Sequence, residues 1–319
     1  MNQEELLRQL ADNPAVLADI IGKICSFTSS TSTIYEMFDA YLQDKDHVLS
    51  PLTIRFYRTV QKNRFQSLMY RSPQDITKSD WQRAVNEESG IFAPKTVKGS
   101  YTAIKTVVFN QSGLQLPNVT IPAKIVNQKK YLHPTEIPPF VAAVSQTKYA
   151  VPLLLALSSM RISEIDALDW RNIPLNPEFV MVKGARVLNE HNKYVTKAQC
   201  KNETSSRPVP ILIPELKAAI ERDRKREGSV MPCSQKNLRL ACHRISKAAG
   251  VTDVGVHELR HSFASLCYYL RVPEEIAAQI GGWADTSTMR KIYTHIAQSD
   301  ISRYQNELQR FYNKSSHLI

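Results

Sequence analysis

The sequence lacks any uninterrupted apolar run of about 18 residues, the length that a membrane-spanning helix needs. Its longest apolar block, Ala150 to Leu157, has the length of a buried helix segment. The first residues, Met1 to Glu5, include two glutamates, and no long apolar stretch follows them, so we expect no secretory signal. These absences predict no membrane-spanning segment and favour a cytoplasmic protein.

Cysteine is scarce, and paired cysteine motifs are missing. The five cysteines are odd in number and scattered, with no CxxC pair. This pattern predicts reduced thiols in a cytosol-like compartment rather than disulfides. We interpret all of them as ordinary core or surface residues: Cys25, Cys200, Cys233, Cys242 and Cys267. Internal repeats are not visible either.

Positive charge, by contrast, is abundant. The 319 residues include 41 lysines and arginines against 30 acidic residues, which gives a formal net charge of +11. An excess of this size favours a polyanionic partner, either a nucleic acid or an anionic membrane. A hydrophobic content of 43% is sufficient for buried cores, and the length accommodates two domains.

The first part of the chain has the periodicity of helices. Apolar residues recur at helical spacing up to about Cys25, with Pro14 as an interruption, and a serine- and threonine-rich break follows at Thr28–Thr33. The pattern beyond this break predicts four helices: Ile34–Leu42, Pro51–Phe65, Lys78–Glu88 and Pro94–Asn110.

The last of these predicted helices has two distinguishable faces. Its apolar residues at helical spacing are expected to face inward: Val97, Tyr101, Ile104 and Val108. Another stripe carries Lys95, Lys98 and Lys105. A lysine stripe of this kind is ordinarily a solvated face. On a protein with this net charge, a surface that contacts a DNA phosphate backbone is a second interpretation.

The sequence changes character between Leu114 and Pro134. Prolines there alternate with polar and basic residues, which predicts an extended interdomain linker. Its lysines are candidate contacts to a DNA backbone: Lys124, Lys129 and Lys130. Helical patterns resume at Glu136–Gln146 and Ala150–Asp169.

A patch of predicted strands then precedes further helices. Phe179–Leu188 and Lys193–Lys197 flank the turn-like residues 189–192, and Arg207–Leu212 is a third short apolar run. Helical patterns return from Pro214 to the end of the chain. An all-helical first part and a mixed second part predict two domains of different class.

One short motif points to two different chemistries. His257 to His261 reads HELRH, which matches the zinc-binding HExxH helix of metalloproteases. Arg260 argues against zinc, since helical geometry would set its guanidinium beside a dication. A histidine and an arginine one turn apart can instead clamp a phosphate, because the arginine donates two hydrogen bonds and the imidazole transfers protons. An exposed polar helix face is the alternative.

Three segments together resemble the tyrosine recombinases, the phage-integrase family. Residues 156–170 read ALSSMRISEIDALDW and are similar to the family's first arginine box. Residues 257–264, HELRHSFA, are similar to its second box with an HxxR core. Residues 281–295, GGWADTSTMRKIYTH, are similar to its third box. The three occur in the family's order and spacing, over roughly Thr135 to Ala297.

The resemblance implies a set of catalytic residues. Tyr293 would be the nucleophile, and Arg161 and Arg260 would bind the phosphate with His257 beside them. The family's catalytic lysine lies on a turn of a small sheet, which assigns Lys201, with Lys197 and Lys193 as rivals. Glu164 is expected to orient Arg161 or His257. No metal and no cofactor are expected.

The chain departs from the family pattern at two positions. Ser159 stands where the family usually has glycine, which predicts a slightly different turn without consequence for the chemistry. Trp283 stands where histidine is usual, although some members carry tryptophan there. An indole N–H can donate to a phosphate oxygen but cannot shuttle protons, so proton transfer would fall on His257 and Lys201. An ordinary core or interface aromatic is the other role open to Trp283.

The implied architecture has a helical extension (1–27), an all-α, SAM-like core DNA-binding domain (28–116), a linker (117–133) and a mixed α/β, mainly helical catalytic domain with a small antiparallel sheet (134–299). A C-terminal helix (300–319) carries Ile301, Tyr304, Leu308 and Phe311 at helical spacing. This stripe either docks on a neighbouring protomer or packs on its own domain.

The implied partners are double-stranded DNA recombination sites and three further copies of the chain, which form a homotetramer on two sites. No membrane partner is implied. An accessory DNA-bending or directionality protein is left open. The protein would lie in the cytoplasm and join the nucleoid when bound to DNA. A DNA-relaxing enzyme of the type IB topoisomerase class is the main alternative function, followed by a non-catalytic relic of the family and the zinc protease.

Overall fold

We analysed a computed structural model of the chain. It describes residues 32–123, 130–174, 176–197 and 206–283, together with single positions 286, 287, 289, 290, 293, 305 and 309. The chain divides into two compact units, residues 1–126 with 188–193 and residues 127–187 with 194–319. The predicted N-terminal extension and the apolar stripe of the predicted C-terminal helix lie outside the described residues. So do three predicted site residues: Lys124, Lys129 and Lys201.

The first unit is helical. All four helices expected from the periodicity are confirmed, and a short additional helix lies between the second and third. The helices are α1 (Ile34–Asp44), α2 (Pro51–Asn63), α3 (Gln66–Met69), α4 (Lys78–Ile91) and α5 (Pro94–Ser112). The second helix ends before Phe65, contrary to expectation, because Phe65 has a left-handed backbone with a φ of 51°.

Local sequence signals set the ends of these helices. The side chains of Thr33 and Thr77 cap α1 and α4 and are matched by an acidic residue three positions later, which is a capping box. The predicted inward face of α5 is confirmed, since Val97, Tyr101, Ile104 and Val108 are all buried. They pack in one core with Trp81 of α4.

The second unit is mainly helical and carries the small sheet. Its helices are α6 (Ile137–Ser145), α7 (Ala150–Leu157), α8 (Ile162–Asp166), α9 (Pro214–Asp223), α10 (Gln235–Ala248), α11 (Val256–Tyr269) and α12 (Glu274–Gly281). Every residue of α7 is buried, so this helix forms the centre of the unit, where it contacts α6, α9 and α11.

The strands are β1 (Phe179–Val182), β2 (Ala185–Leu188), β3 (Tyr194–Lys197) and β4 (Arg207–Pro210). β1 pairs antiparallel with β4, and β2 pairs with β3 across the turn at 189–192. The prediction of one strand over Phe179–Leu188 is therefore wrong. The segment breaks at Lys183-Gly184 because its two halves pair with different partners.

The prediction of one helical segment over Ala150–Asp169 is also wrong. The helix stops at Leu157, and a new helix begins at Ile162. Ser159 in the intervening turn has a φ of 83°, a left-handed conformation that ends a helix. Ser159, which stands where the family usually has glycine, thus adopts a backbone conformation that glycine favours.

The buried face of α11 carries polar as well as apolar side chains. Leu259 is buried, and so are Arg260 and His261, whereas Leu270, just beyond the end of the helix, is 66% exposed. The alternative of an exposed polar face is therefore wrong for Arg260 and His261. No helix in the described part of the chain is long and apolar enough to cross a membrane.

Candidate active site

Arg161 lies where the chain turns between α7 and α8. It is the residue that precedes the first turn of α8, and Glu164 stands three positions later. The Glu164 carboxylate accepts from the Arg161 backbone N–H at 2.9 Å and from its Nη1 at 2.6 Å. The Arg161 side chain remains 39% exposed. The break between the two helices therefore holds a partly exposed guanidinium in a fixed position.

Arg260 lies in α11 and is 1% exposed. Its Nη1 donates to the Ser159 carbonyl, and its Nη2 donates to the Gly282 carbonyl at 3.3 Å. Arg161 Nη2 donates to the same Gly282 carbonyl at 3.1 Å. One backbone oxygen thus joins the two arginines to the segment that carries Trp283. The Ser159 carbonyl is an acceptor for Arg260, a contact that depends on the backbone rather than on the serine side chain.

Trp283 closes one side of this cluster. The Arg260 guanidinium carbon lies over its indole ring, 4.1 Å from the ring centroid, in a cation–π contact. Phe263 stacks on the indole at 6.3 Å between centroids. A Cβ on Gly281 would overlap the indole. Gly282 has a φ of +62°, which favours glycine. The sequence Gly-Gly-Trp therefore has a reason at each glycine: space for the indole at Gly281 and the backbone conformation at Gly282.

A third arginine, Arg207, was missed by the sequence analysis. It is 5% exposed at the start of β4. Its Nη1 and Nη2 donate to the two carboxylate oxygens of Glu164 at 3.3 and 3.1 Å. In the sequence, Arg207 is distinguished only by its position between the predicted catalytic turn and a strand. That position does not predict a buried side chain. Glu164 therefore serves two arginines, Arg161 and Arg207, rather than Arg161 alone.

The cluster carries more positive than negative charge. Arg161, Arg207 and Arg260 contribute three positive charges against one negative charge on Glu164, a net +2. Burial, reinforced by Arg161 and Arg207, lowers the pKa of Arg260 to about 9. Burial acts to raise the pKa of Glu164, but Arg207 and then Arg161 outweigh it and hold that pKa below its ordinary value. Glu164 and Arg260 are thus both charged at neutral pH, and a bound anion would offset the excess positive charge of the cluster.

Tyr293 lies at the other end of α11. Its hydroxyl donates to the Val272 carbonyl at 3.4 Å, and its ring meets that of Tyr268 edge-on at 5.3 Å between centroids. Burial, with smaller contributions from Cys267 and Glu274, raises the pKa of Tyr293 above its ordinary value. The hydroxyl therefore keeps its proton at neutral pH.

His257 lies in the first turn of α11 and is exposed. Its ring packs edge-on against that of the buried His261, at 4.9 Å between centroids. Glu258 lies between them in sequence, which completes the HExxH pattern. Within the described residues there is no group of three or more histidine, cysteine or acidic side chains arranged to hold a metal ion.

The predicted lysines have different positions. Lys95, Lys98 and Lys130 are exposed. Lys105 is half-buried, and its Nζ donates to the Asn118 side chain at 3.3 Å. Of the two rivals to Lys201, Lys193 lies exposed on the turn after β2, and Lys197 ends β3.

A basic face on α10 was not predicted from the sequence. Leu238, Ala241 and Cys242 are buried, so the opposite face of this helix is solvated. Half of its exposed residues are cationic: Lys236, Arg239, Arg244 and Lys247. The amphipathic pattern was available in the sequence, but only the burial of one face shows that the cations form a single surface.

Comparisons with known proteins agree with this geometry. The integrase of Salmonella phage P22 is 21% identical over 206 residues, which cover 62% of this chain and 52% of the relative. The chain therefore spans about half the length of that curated relative.

Two solved structures share the fold. The Tn1549 transposon integrase in complex with transposon right end DNA has a TM-score of 0.66, with 14% identity and coverage of 85% of this chain and 99% of that chain. Lambda integrase, residues 75–356 bound to DNA, has a TM-score of 0.54, with 15% identity and coverage of 81% and 94%.

The family comparison covers the second unit. The profile of the phage integrase family matches residues 130–300, which are more than half of the chain and include all three boxes. The mainly helical unit with a small antiparallel sheet is thus the catalytic-domain fold of the tyrosine recombinases. The chain belongs to the phage integrase family.

Proposed function

We propose that this protein is a site-specific DNA recombinase that cleaves and rejoins strands through a 3′-phosphotyrosyl bond to Tyr293. The observation that carries the proposal is the shared Gly282 carbonyl, to which Arg161 and Arg260 both donate. Two guanidiniums held together with uncompensated charge form a site suited to a phosphodiester. Membership of the phage integrase family supports the same reaction.

The proposed cleavage step assigns one role to each group. The Tyr293 oxygen attacks phosphorus, and the bond from phosphorus to the 5′ oxygen breaks. His257 accepts the proton from Tyr293, and Lys201 gives a proton to the 5′ oxygen. The products are a 3′-phosphotyrosine and a free 5′-hydroxyl. Religation reverses these transfers with a partner strand and needs no ATP and no metal, because the adduct keeps the energy of the bond.

The arginines and Trp283 would act on the transition state. Arg161 and Arg260 neutralise the non-bridging oxygens, whose charge increases as the fifth bond to phosphorus forms. The Trp283 indole N–H is a donor to one of these oxygens. For attack, the Tyr293 hydroxyl must exchange its hydrogen bond with Val272 for a position in line with the breaking bond.

DNA binding would extend over both units. The first unit is proposed as the core DNA-binding domain, with Lys95, Lys98 and Lys105 toward the phosphate backbone. The linker lysines Lys124, Lys129 and Lys130 would add contacts, and so would the basic face of α10. Because such contacts neutralise phosphates without reading bases, they support affinity more than sequence choice.

Strand exchange requires four active sites, so a homotetramer on two DNA sites is proposed. Residues 300–319 would dock their apolar stripe on a neighbouring protomer. An accessory protein that bends DNA or sets direction would be compatible with this assembly. The protein would act in the cytoplasm, on the nucleoid.

The covalent step can be tested with a nicked suicide DNA substrate. The wild-type protein is expected to form a covalent adduct, detected as a shifted band on a denaturing gel. Tyr293→Phe should form none, because it lacks the attacking oxygen. Tyr149→Phe, in the same unit, serves as the matched control and should form the adduct normally. An adduct that persists in Tyr293→Phe would contradict the proposal.

The excess charge of the arginine cluster predicts that simple oxyanions stabilise the fold. At a sulfate concentration near ten times its Kd, linkage gives about 1.4 kcal/mol. Against chloride of equal ionic strength, sulfate should therefore raise the Tm of the wild type by about 3 °C. Arg161→Gln should lose most of this shift, whereas the exposed control Arg222→Gln should retain it. Equal shifts in both variants would contradict a phosphate site at Arg161.

The basic face of α10 predicts a salt-dependent contribution to DNA affinity. Lys236→Gln combined with Arg244→Gln removes two cations, so the slope of log K against log salt should fall by about 1.8. Lys217→Gln with Lys225→Gln removes the same charge from other exposed positions and controls for net charge. A slope that changes no more in the first pair than in the control would remove α10 from the DNA surface.

Deleting the residues after Ser299 tests the assembly. Single-strand cleavage should be largely intact, whereas tetramer formation on paired sites, measured by light scattering, should weaken because the apolar stripe is lost. Gln305→Ala with Gln309→Ala changes two exposed positions of the same segment and should leave the tetramer intact. Unchanged tetramer formation after the deletion would refute the exchange.

A further inference from the structure

Arg207 and Glu164 form a buried ion pair inside the arginine cluster. Both side chains are nearly inaccessible, at 6% and 4% exposure, and two hydrogen bonds join them. Desolvation offsets much of the attraction in such a pair, so it is a weak source of stability. A stabilising role alone is therefore a poor account of its place in this cluster.

The charge balance gives the pair a second role. Without Arg207, the Glu164 carboxylate would serve Arg161 alone, and the four-group net charge of +2 would fall to +1. With Arg207 present, the carboxylate is shared, so it still holds Arg161 at 2.6 Å without cancelling the positive charge of the cluster. That excess would act mainly on the transition state, in which the non-bridging oxygens carry more negative charge than in the bound phosphodiester.

Arg207 also contacts the backbone on which both other arginines depend. A Cβ on Gly282 would overlap Nε, Cζ and Cδ of Arg207, so the guanidinium lies directly against this peptide. The Gly282 carbonyl is the shared acceptor of Arg161 and Arg260. The Arg207 Nε is buried and has no hydrogen-bond partner among the described residues. The position of Arg207 therefore follows from its contacts with Glu164 and Gly282.

We propose that Arg207 is a positioning residue for strand cleavage. It acts through Glu164 and Gly282 to hold the Arg161 guanidinium toward the phosphate with its charge uncompensated. The inference rests on the proposed cleavage by Tyr293. It assigns Arg207 to the chemical step rather than to DNA affinity.

The test is single-turnover adduct formation on the nicked substrate at saturating DNA. Arg207→Gln should slow the reaction about 100-fold, in the range seen when one preorganised group is removed. DNA affinity should change by less than about threefold, since a group that acts only on the transition state alters the rate and not binding. A rate within about threefold of wild type would overturn the proposal.

Coupling to Glu164 separates positioning from an independent role. If Arg207 acts through Glu164, the double variant Arg207→Gln/Glu164→Gln should be no more than about threefold slower than Glu164→Gln alone. Losses that multiply would show that Arg207 acts without Glu164 and would overturn this route.

Two further variants guard against a purely structural effect. Arg224→Gln removes an arginine that donates to the Ile173 and Pro174 carbonyls away from the cluster, so it should lower the Tm without slowing cleavage. Arg207→Lys keeps the charge but loses the fork, and it should cleave between about threefold and tenfold below wild type. If Arg207→Gln does not fold, a wild-type rate in Arg207→Lys overturns the proposal.

The experiment distinguishes this proposal from the function on which it rests. Adduct formation by the wild type and by Tyr293→Phe tests the covalent step independently of any Arg207 variant. An adduct in the wild type that Tyr293→Phe abolishes, together with a fast Arg207→Gln, would overturn the positioning role alone. A wild type that forms no adduct would overturn both.

Discussion

The Gly282 carbonyl is the acceptor on which the rest of the cluster depends. A carbonyl oxygen has two lone pairs, and here Arg161 and Arg260 each take one. This joins the turn after α7, the middle of α11 and the end of α12, which are distant in sequence. The carbonyl can occupy this place only because Gly282 adopts a φ of +62° and leaves room for Arg207. A side chain at this position would displace Arg207 from the peptide.

The excess charge of the cluster would favour a bound anion at a cost to the stability of the free protein. Burying Arg260 beside two other guanidiniums is unfavourable and lowers its pKa to about 9. Hydrogen bonds to the Ser159 and Gly282 carbonyls and the contact with Trp283 offset part of that desolvation. A bound phosphate would relieve the remaining excess charge. The same repulsion would therefore destabilise the free protein and favour the bound state.

The sequence predicted elements better than it predicted burial. Helical periodicity located α1, α2, α4 and α5, since each has an apolar face against one core. Periodicity did not predict that Arg260 is buried, at 1% exposure, because the partners of this arginine are carbonyls from distant segments. Arg207 was missed for the same reason, since its partner Glu164 precedes it by a long stretch of chain. The left-handed turn at Ser159 was not predicted because glycine or asparagine, rather than serine, is the usual sequence signal of this backbone conformation.

The position of Tyr293 places constraints on the proposed reaction. Its hydroxyl donates to Val272, beyond the end of α11, whereas Arg260 lies about 14 Å earlier along that helix axis at 1.5 Å per residue. Its raised pKa means that movement toward the arginines is not sufficient, because the proton must also leave. Trp283 cannot accept that proton. His257 is exposed one turn before Arg260, so it can meet a tyrosine that reaches the phosphate without any rearrangement of the arginine cluster.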